Sequence, residues 1–131
     1  MSGCPSREKA LELLHEYTKT DSLRRHALGV EQAMRKMAEK YDGDPNEWGL
    51  AGLMHDFDYE KYPSMEEHPF RGNEILKGKG YPESITRAIM GHATYSGIPR
   101  DTDMAKALFA VDELTGFIFA VTYVRPSKSI F

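Results

Sequence analysis

Apolar residues recur at helical spacing along most of the chain, with polar residues between them. One such stretch runs from Ser6 to about Thr18, and a second begins after Asp21, which can cap it, and continues to about Tyr41. Apolar side chains spaced in this way form one stripe on a helix, and the stripe faces the core. A histidine, His26, interrupts the second stripe, whose other members are Leu23, Ala27, Val30, Met34, Met37 and Tyr41.

An unusually apolar helix is predicted in the middle of the chain. The segment Asp44-Pro45-Asn46-Glu47 places a capping carboxylate, a proline and a glutamate at the positions that begin a helix. The residues from Trp48 to Met54 carry no charge, so we expect this helix to be buried on nearly all sides. It ends at the doublet His55-Asp56, which it places in the interior, and Phe57–Met65 follows as a loop.

Further helices are predicted in the second half of the chain. One opens at His68-Pro69, and the next opens at Pro82 and carries His92 at the end of its apolar stripe. The last begins at Asp101 to Asp103 and turns Asp112 towards the core together with its apolar residues.

The predicted fold class is all-α, a compact bundle of about six helices forming one domain over residues 1–131. Phe117–Val124 is rich in β-forming residues, but we interpret it as a continuation of the last helix, because no second strand is predicted to pair with it. The chain ends at Ser129-Ile130-Phe131, directly after this apolar stretch. Such an end indicates a docked terminus or a longer protein cut short, and we favour truncation.

Charge and cysteine content exclude several classes of protein. The chain has 17 basic and 20 acidic residues of interspersed sign, for a net charge of -3, so it lacks the basic stripe of a nucleic-acid binder. No apolar run reaches the length of a membrane span, and no signal-peptide pattern is visible. The single cysteine, Cys4, rules out an internal disulfide. We therefore expect a cytoplasmic protein without membrane or nucleic-acid partners; the oligomeric state is not predicted.

Several ionisable residues occupy positions where a helical protein should bury hydrocarbon. A buried carboxylate is costly unless it is paired or binds a metal, and neutral imidazole is a common metal ligand. One buried histidine is usually a hydrogen-bonded core residue, but recurrence on several helices indicates a metal site between them. Imidazole and carboxylate without thiolate favour Fe, Mn, Co, Ni or Zn over Mg or Ca. The residues are His26, His55, Asp56, His92 and Asp112, with His68 nearby in the sequence.

Two metal subsites can be assembled from these residues. One consists of His26, His55, Asp56 and Asp112, and leaves coordination positions open for water and substrate. Asp56 has a second oxygen, which can bridge to another ion held by His68 and His92. Paired ions of this kind activate water and stabilise the attacking and leaving oxygens of a phosphoryl displacement.

The ordered set and its local contexts resemble the HD superfamily of metal-dependent phosphohydrolases, in particular its HDIG-like branch. The resemblance covers roughly residues 20–125 and rests on Leu53-Met54-His55-Asp56, on His68–Leu76 and on Ala110-Val111-Asp112. It implies that His26, the doublet and Asp112 bind a first metal, and that His68 and His92 bind a second. Asp58 stands where that branch has a glycine, so the subfamily, the substrate and the number of ions, one or two, stay open.

The resemblance implies hydrolysis of a small phosphate ester or anhydride, such as a phosphomonoester or a nucleotide, by metal-activated water. His55 and Asp56 are then the catalytic residues. Arginine and lysine suit phosphate, and the candidates near the ligands are Arg71, Arg125, Lys61 and Arg25. Three alternatives remain: a non-catalytic metal- or nucleotide-binding module, a di-iron oxygenase, and polar residues that merely brace the core.

Overall fold

This computed structural model describes residues 5–124, with side chains as far as residue 114. Within these bounds the protein is all-α and contains six α-helices, which confirms the predicted fold class. A 3-10 turn at Thr94–Ser96 precedes the last helix. In this part of the chain, no helix has the length and apolarity needed to cross a bilayer. The helices are α1 Arg7–Tyr17, α2 Asp21–Lys40, α3 Pro45–Met54, α4 Phe70–Gly78, α5 Glu83–His92 and α6 Asp103–Val124.

The ends of the helices largely follow the predicted capping signals. The Asp44 carboxylate accepts a hydrogen bond from the Asn46 N–H at 3.0 Å, and α3 begins directly after it. The prediction is off by one residue at α2, where Asp21 is the first helical residue and not the cap. The reason is a contact from elsewhere in the chain: the Glu60 carboxylate accepts from the backbone N–H of Thr20 at 2.8 Å. Similarly, α4 begins at Phe70, so the two residues predicted to open it lie in the preceding turn.

Helix α3 lies at the centre of the fold and packs against α1, α2, α5 and α6. Every residue from Trp48 to Met54 is buried, as its uncharged sequence predicted. A side chain at Gly52 would bring a Cβ within 2.8 Å of the Val30 carbonyl oxygen, so glycine allows the two helix backbones to approach this closely. The helix therefore delivers the residues after it, His55 and Asp56, into the interior.

The turn that follows α3 is tied to the end of α1. The Thr18 hydroxyl donates to the Phe57 carbonyl at 2.9 Å, and both groups are buried. The Tyr17 ring packs edge-on against the Phe57 ring with 5.3 Å between centroids. These contacts hold the turn in place immediately after the His55-Asp56 doublet.

A buried ion pair joins α1 to α2. The Glu31 side chain is fully buried, and Arg7 contacts it with two nitrogens at 2.6 and 2.9 Å. Arg35, one turn further along α2, lies 3.3 Å from the same carboxylate. Nothing in the apolar pattern predicts this network, because Arg7 lies on a different helix from its partner.

Loss of the Arg7 guanidinium should destabilise the protein, because it leaves a buried carboxylate with a single partner. We expect Arg7→Met, which keeps the apolar stem, to lower the free energy of unfolding by about 2–4 kcal/mol. The control is Arg25→Met, since Arg25 forms a solvent-exposed pair with Asp21 and such pairs contribute less than about 1 kcal/mol. Urea denaturation at fixed pH measures both; equal losses would contradict a stabilising role for the buried pair.

Candidate metal centre

Side chains from α2, from the end of α3 and from α6 converge on one point in the interior. The Asp112 Oδ1 atom lies 2.9 Å from His26 Nε2 and 3.0 Å from His55 Nε2. The Asp56 Oδ2 atom lies 3.3 Å from the same His55 nitrogen. These four residues offer ligand atoms that all lie within 4.8 Å of one another. They form the first subsite.

A second group of side chains meets the other oxygen of Asp56. The Asp56 Oδ1 atom lies 3.2 Å from His68 Nε2 and 3.2 Å from His92 Nε2. The ligand atoms of these three residues also lie within 4.8 Å of one another. They form the second subsite, and the two subsites share the Asp56 carboxylate.

Three of the imidazoles are held by their Nδ1 atoms. His55 donates from Nδ1 to a carbonyl of α3 at 2.7 Å, and His92 donates to a carbonyl of α5. His68 donates from Nδ1 to the Asp58 carboxylate at 2.6 Å. A carbonyl or carboxylate oxygen can only accept, so the proton on Nδ1 leaves Nε2 available as a metal ligand. Each of these three Nε2 atoms faces the shared Asp56 carboxylate.

The residues present fit a divalent transition metal. The ligand groups are imidazoles and carboxylates, which suit Mn, Fe, Co, Ni or Zn. The described hydrogen bonds to the carboxylates of Asp56 and Asp112 all come from imidazoles. His55 is completely buried, whereas the side chains of Asp56 and Asp112 are 25% and 23% exposed. The carboxylate side of the centre is therefore open to solvent.

The HD domain family model matches residues 23–116, which include every residue of both subsites. The chain belongs to the HD domain family. HD domains bind divalent metals and are generally metal-dependent phosphohydrolases. Neither a search of curated proteins nor a search of solved structures found a match. The family resemblance predicted from the residue pattern is thus confirmed, and the geometry of this HD domain brings the six expected ligands together.

The basic residues predicted to bind phosphate lie in other contacts of the HD domain. Arg71 is largely exposed and lies 3.8 and 4.0 Å from two glutamates close to it in sequence. Arg25 pairs with Asp21 on the same helix, and the Lys61 ammonium lies over two tyrosine rings. Arg125 is outside the described residues. Their role in phosphate binding therefore stays a prediction.

Asp58 is a site residue whose role the sequence did not reveal. Its side chain is nearly fully buried, with Oδ1 against His68 Nδ1 and Oδ2 accepting from the Gly72 N–H at 2.9 Å. In the sequence it stands out only as a departure from the glycine of the HDIG-like branch. One indication of this role was present in the sequence: a carboxylate directly follows Phe57, in a segment otherwise expected only to connect two helices.

Opposite charges in the first subsite shift the pKa values of its buried groups. Burial alone would lower the pKa of His55, but the charge of Asp56 and the hydrogen bond with Asp112 outweigh it and raise that pKa well above its usual value. Burial would raise the pKa of Asp56, but the charge and hydrogen bonds of the surrounding imidazoles hold it well below its usual range. Burial opposes the shift at Asp112 too, where hydrogen bonds from His26 and His55 lower the pKa.

Burial and neighbouring carboxylates also act in opposite directions on the pKa of His68, in the second subsite. Burial favours the neutral imidazole, but hydrogen bonds with Asp56 and Asp58 favour the charged form and raise the pKa of His68 to about 9. Without metal, imidazolium protons therefore neutralise part of the carboxylate charge. A metal ion competes with these protons, so its binding releases them.

We expect the metal-free protein to lose stability as the pH rises from 6.5 to about 9. The pKa of His68 is raised from 6.5 on folding, so its contribution is complete below pH 6.5 and is lost as the pH passes the folded-state pKa. The loss should be on the order of 2 kcal/mol. Added Zn²⁺ should stabilise the protein more at the higher pH, since fewer protons compete with it.

Urea denaturation with and without a chelator, repeated across this pH range, measures both trends. The matched variant is His68→Gln, which should flatten the decline of the metal-free protein. A metal-free protein that becomes more stable with rising pH would contradict the assigned imidazolium–carboxylate pairing.

Proposed function

We propose that this HD domain is a metal-dependent phosphohydrolase acting on a small phosphomonoester, a nucleotide or a related phosphate ester. The observation that supports this most is the position of Asp56. Its Oδ2 atom faces His55 and its Oδ1 atom faces His68 and His92, at 3.2 to 3.3 Å, so one carboxylate can serve two ions at once. Metal centres that share a ligand in this way are suited to phosphoryl displacement.

Each residue of the centre has a definite part in the proposed mechanism. Divalent ions, when bound, lower the pKa of water and stabilise the oxygens of a phosphoryl group. His26, His55, Asp56 and Asp112 would hold the first ion, and Asp56, His68 and His92 the second. The two carboxylates would offset the charge of the ions, and Asp56, which belongs to both subsites, would keep the ions adjacent. The Nδ1 hydrogen bonds fix the imidazole rings, so the centre needs little reorganisation on binding.

A substrate would approach the centre from the side on which Asp56 and Asp112 are exposed to solvent. The tyrosine ring of Tyr59 is 43% exposed and packs edge-on against His68, with 5.5 Å between centroids. An exposed aromatic ring at this position offers a stacking surface to a planar group on the substrate. Nucleotides, which carry such a group, are therefore candidates within the proposed substrate class.

Replacing Asp56 should abolish metal binding and turnover together, because both subsites use this carboxylate. The assay is release of phosphate from a panel of phosphomonoesters and nucleotides by chelator-treated protein reloaded with Mn, Co, Ni, Fe or Zn. We expect turnover of at least one compound by the wild-type protein and only background turnover by Asp56→Ala. His15→Ala is the control, since His15 is an exposed histidine on α1, outside both subsites.

The outcomes of this assay separate the candidate functions. Turnover that survives Asp56→Ala would contradict the proposed mechanism. Tight metal binding without turnover of any compound would favour a non-catalytic binding module. Oxygen consumption by the iron-loaded protein would favour an oxygenase. His68→Ala and His92→Ala, assayed in parallel, test the second ion: undiminished activity with one bound metal would leave a mononuclear enzyme.

Tyr59→Leu tests the stacking surface. If a base stacks on this ring, the KM for a nucleotide substrate should rise about 10-fold, with little change in kcat. The KM for a phosphomonoester without an aromatic group should stay the same. Tyr41→Leu is the control, since Tyr41 is also exposed, at 48%, but stacks on Trp48. Equal effects of Tyr59→Leu on both substrates would count against nucleotide stacking.

A further inference from the structure

The Asp58 carboxylate uses both of its oxygens in the interior of the protein. Oδ1 accepts from His68 Nδ1 at 2.6 Å, and Oδ2 accepts from the Gly72 N–H at 2.9 Å. The side chain is 2% exposed. A buried carboxylate is tolerated when its oxygens accept hydrogen bonds from charged or strongly polar donors. Asp58 meets this condition only while it contacts both donors.

His68 needs a partner of this kind because it does not lie in a helix. His55 and His92 lie at the ends of α3 and α5, and each donates its Nδ1 proton to a carbonyl three residues earlier. The helix itself therefore orients these two rings. His68 lies in the turn before α4, and its Nδ1 is held by a side chain ten residues away in the sequence.

We infer that Asp58 is the positioning residue of the second subsite. By holding Nδ1 of His68, it directs Nε2 at Asp56 Oδ1, 3.2 Å away, and makes that nitrogen a ligand. A carboxylate behind a metal-binding histidine fixes the orientation of the ring and strengthens it as a donor. This inference rests on the proposed metal-dependent function, and it concerns the ion of the second subsite alone.

Gly72 is the structural counterpart of Asp58. A Cβ at position 72 would lie 2.6 Å from Asp58 Oδ2 and 2.7 Å from its Cγ, so any side chain there would force the carboxylate to shift. Glycine therefore provides the space in which the carboxylate lies, and its N–H provides one of the two donors. The two positions form a matched pair.

An asparagine at position 58 cannot reproduce these contacts. Its amide has one oxygen and one NH₂ group, whereas both neighbours, His68 Nδ1–H and the Gly72 N–H, are donors. If the oxygen faces His68, the NH₂ group opposes the Gly72 N–H. If the oxygen faces Gly72, the NH₂ group requires an unprotonated Nδ1, and the proton then moves to the Nε2 that must bind metal. Asp58→Asn is therefore a small change with a specific expected effect.

The test is a titration of the chelator-treated 131-residue protein with Zn²⁺, in which calorimetry measures the affinities and elemental analysis counts the bound ions. For Asp58→Asn we expect the affinity for the second ion to fall about 10- to 100-fold, with the affinity for the first ion unchanged. Glu60→Gln is the matched control. Glu60 lies in the same turn and also accepts two backbone N–H groups, those of Lys19 and Thr20, but its described contacts include no histidine.

Two further measurements separate positioning from general stabilisation. Gly72→Ala should weaken the same ion, because the added Cβ displaces the carboxylate. In a His68→Ala background, Asp58→Asn should cause no further loss, since Asp58 acts through His68. In the wild-type zinc protein, the His68 Nδ1 proton should give a strongly downfield NMR resonance, which is typical of a short hydrogen bond to a carboxylate.

The results that would overturn the inference differ from those that would overturn the proposed function. Two ions bound with wild-type affinity by both Asp58→Asn and Gly72→Ala would overturn the inference alone. So would an equal loss of both ions, or a missing Nδ1 resonance in the wild-type protein. A wild-type protein that binds a single ion, unaffected by Asp58→Asn, would also overturn it and leave a mononuclear enzyme. A wild-type protein that binds no ion would overturn the proposed function itself.

Discussion

The Asp56 carboxylate between imidazoles is the interaction on which the structure of the centre depends. A carboxylate in the interior is stable only if positive charge or a metal ion compensates it. Three histidines from different parts of the chain supply this compensation through Nε2 atoms at 3.2 to 3.3 Å. The segments that carry them must therefore keep their relative positions, and the apolar packing around α3 contributes to this constraint.

The fold holds the histidines in two different ways. At the ends of α3 and α5, helix geometry supplies a carbonyl for each Nδ1 atom. His68 lies outside a helix, and the buried Asp58 replaces the carbonyl. The turn that carries Asp58 is itself fixed to α1 through Thr18 and Phe57. A backbone carbonyl of the same helix thus orients His55 and His92, whereas a side chain from another turn orients His68. The orientation of His68 therefore depends on contacts between more parts of the fold.

The sequence predicted those features of the fold that the spacing of apolar residues determines. The helices and the inward positions of His26, His92 and Asp112 follow from the spacing of apolar residues, because a residue within an apolar stripe must share the burial of that stripe. The uncharged α3 likewise indicated that the doublet would be interior. Spacing specifies the face of a helix, but it did not place His68, which lies in the turn before α4 and was included for its closeness in the sequence and because of the family resemblance.

Pairing between distant side chains could not be predicted in this way. The contacts of Asp58 with His68, and of Glu31 with Arg7, join segments whose relative placement emerges only after the helices pack. The basic residues near the ligands show the same limit. Arg71 follows His68 closely in the sequence, yet its described ion pairs are with glutamates. Closeness in sequence to a metal ligand therefore did not predict that a basic residue contacts the metal centre.

The most direct test of the two shared subsites is a crystal structure of the protein grown with Mn²⁺ or Zn²⁺, with anomalous diffraction recorded at the metal edge. The account predicts two anomalous peaks, with Asp56 bound to both. One peak should be ligated by His26, His55 and Asp112, and the other by His68 and His92. Anomalous peaks only at other places in the protein, or a metal-loaded centre in which Asp56 ligates no ion, would contradict it.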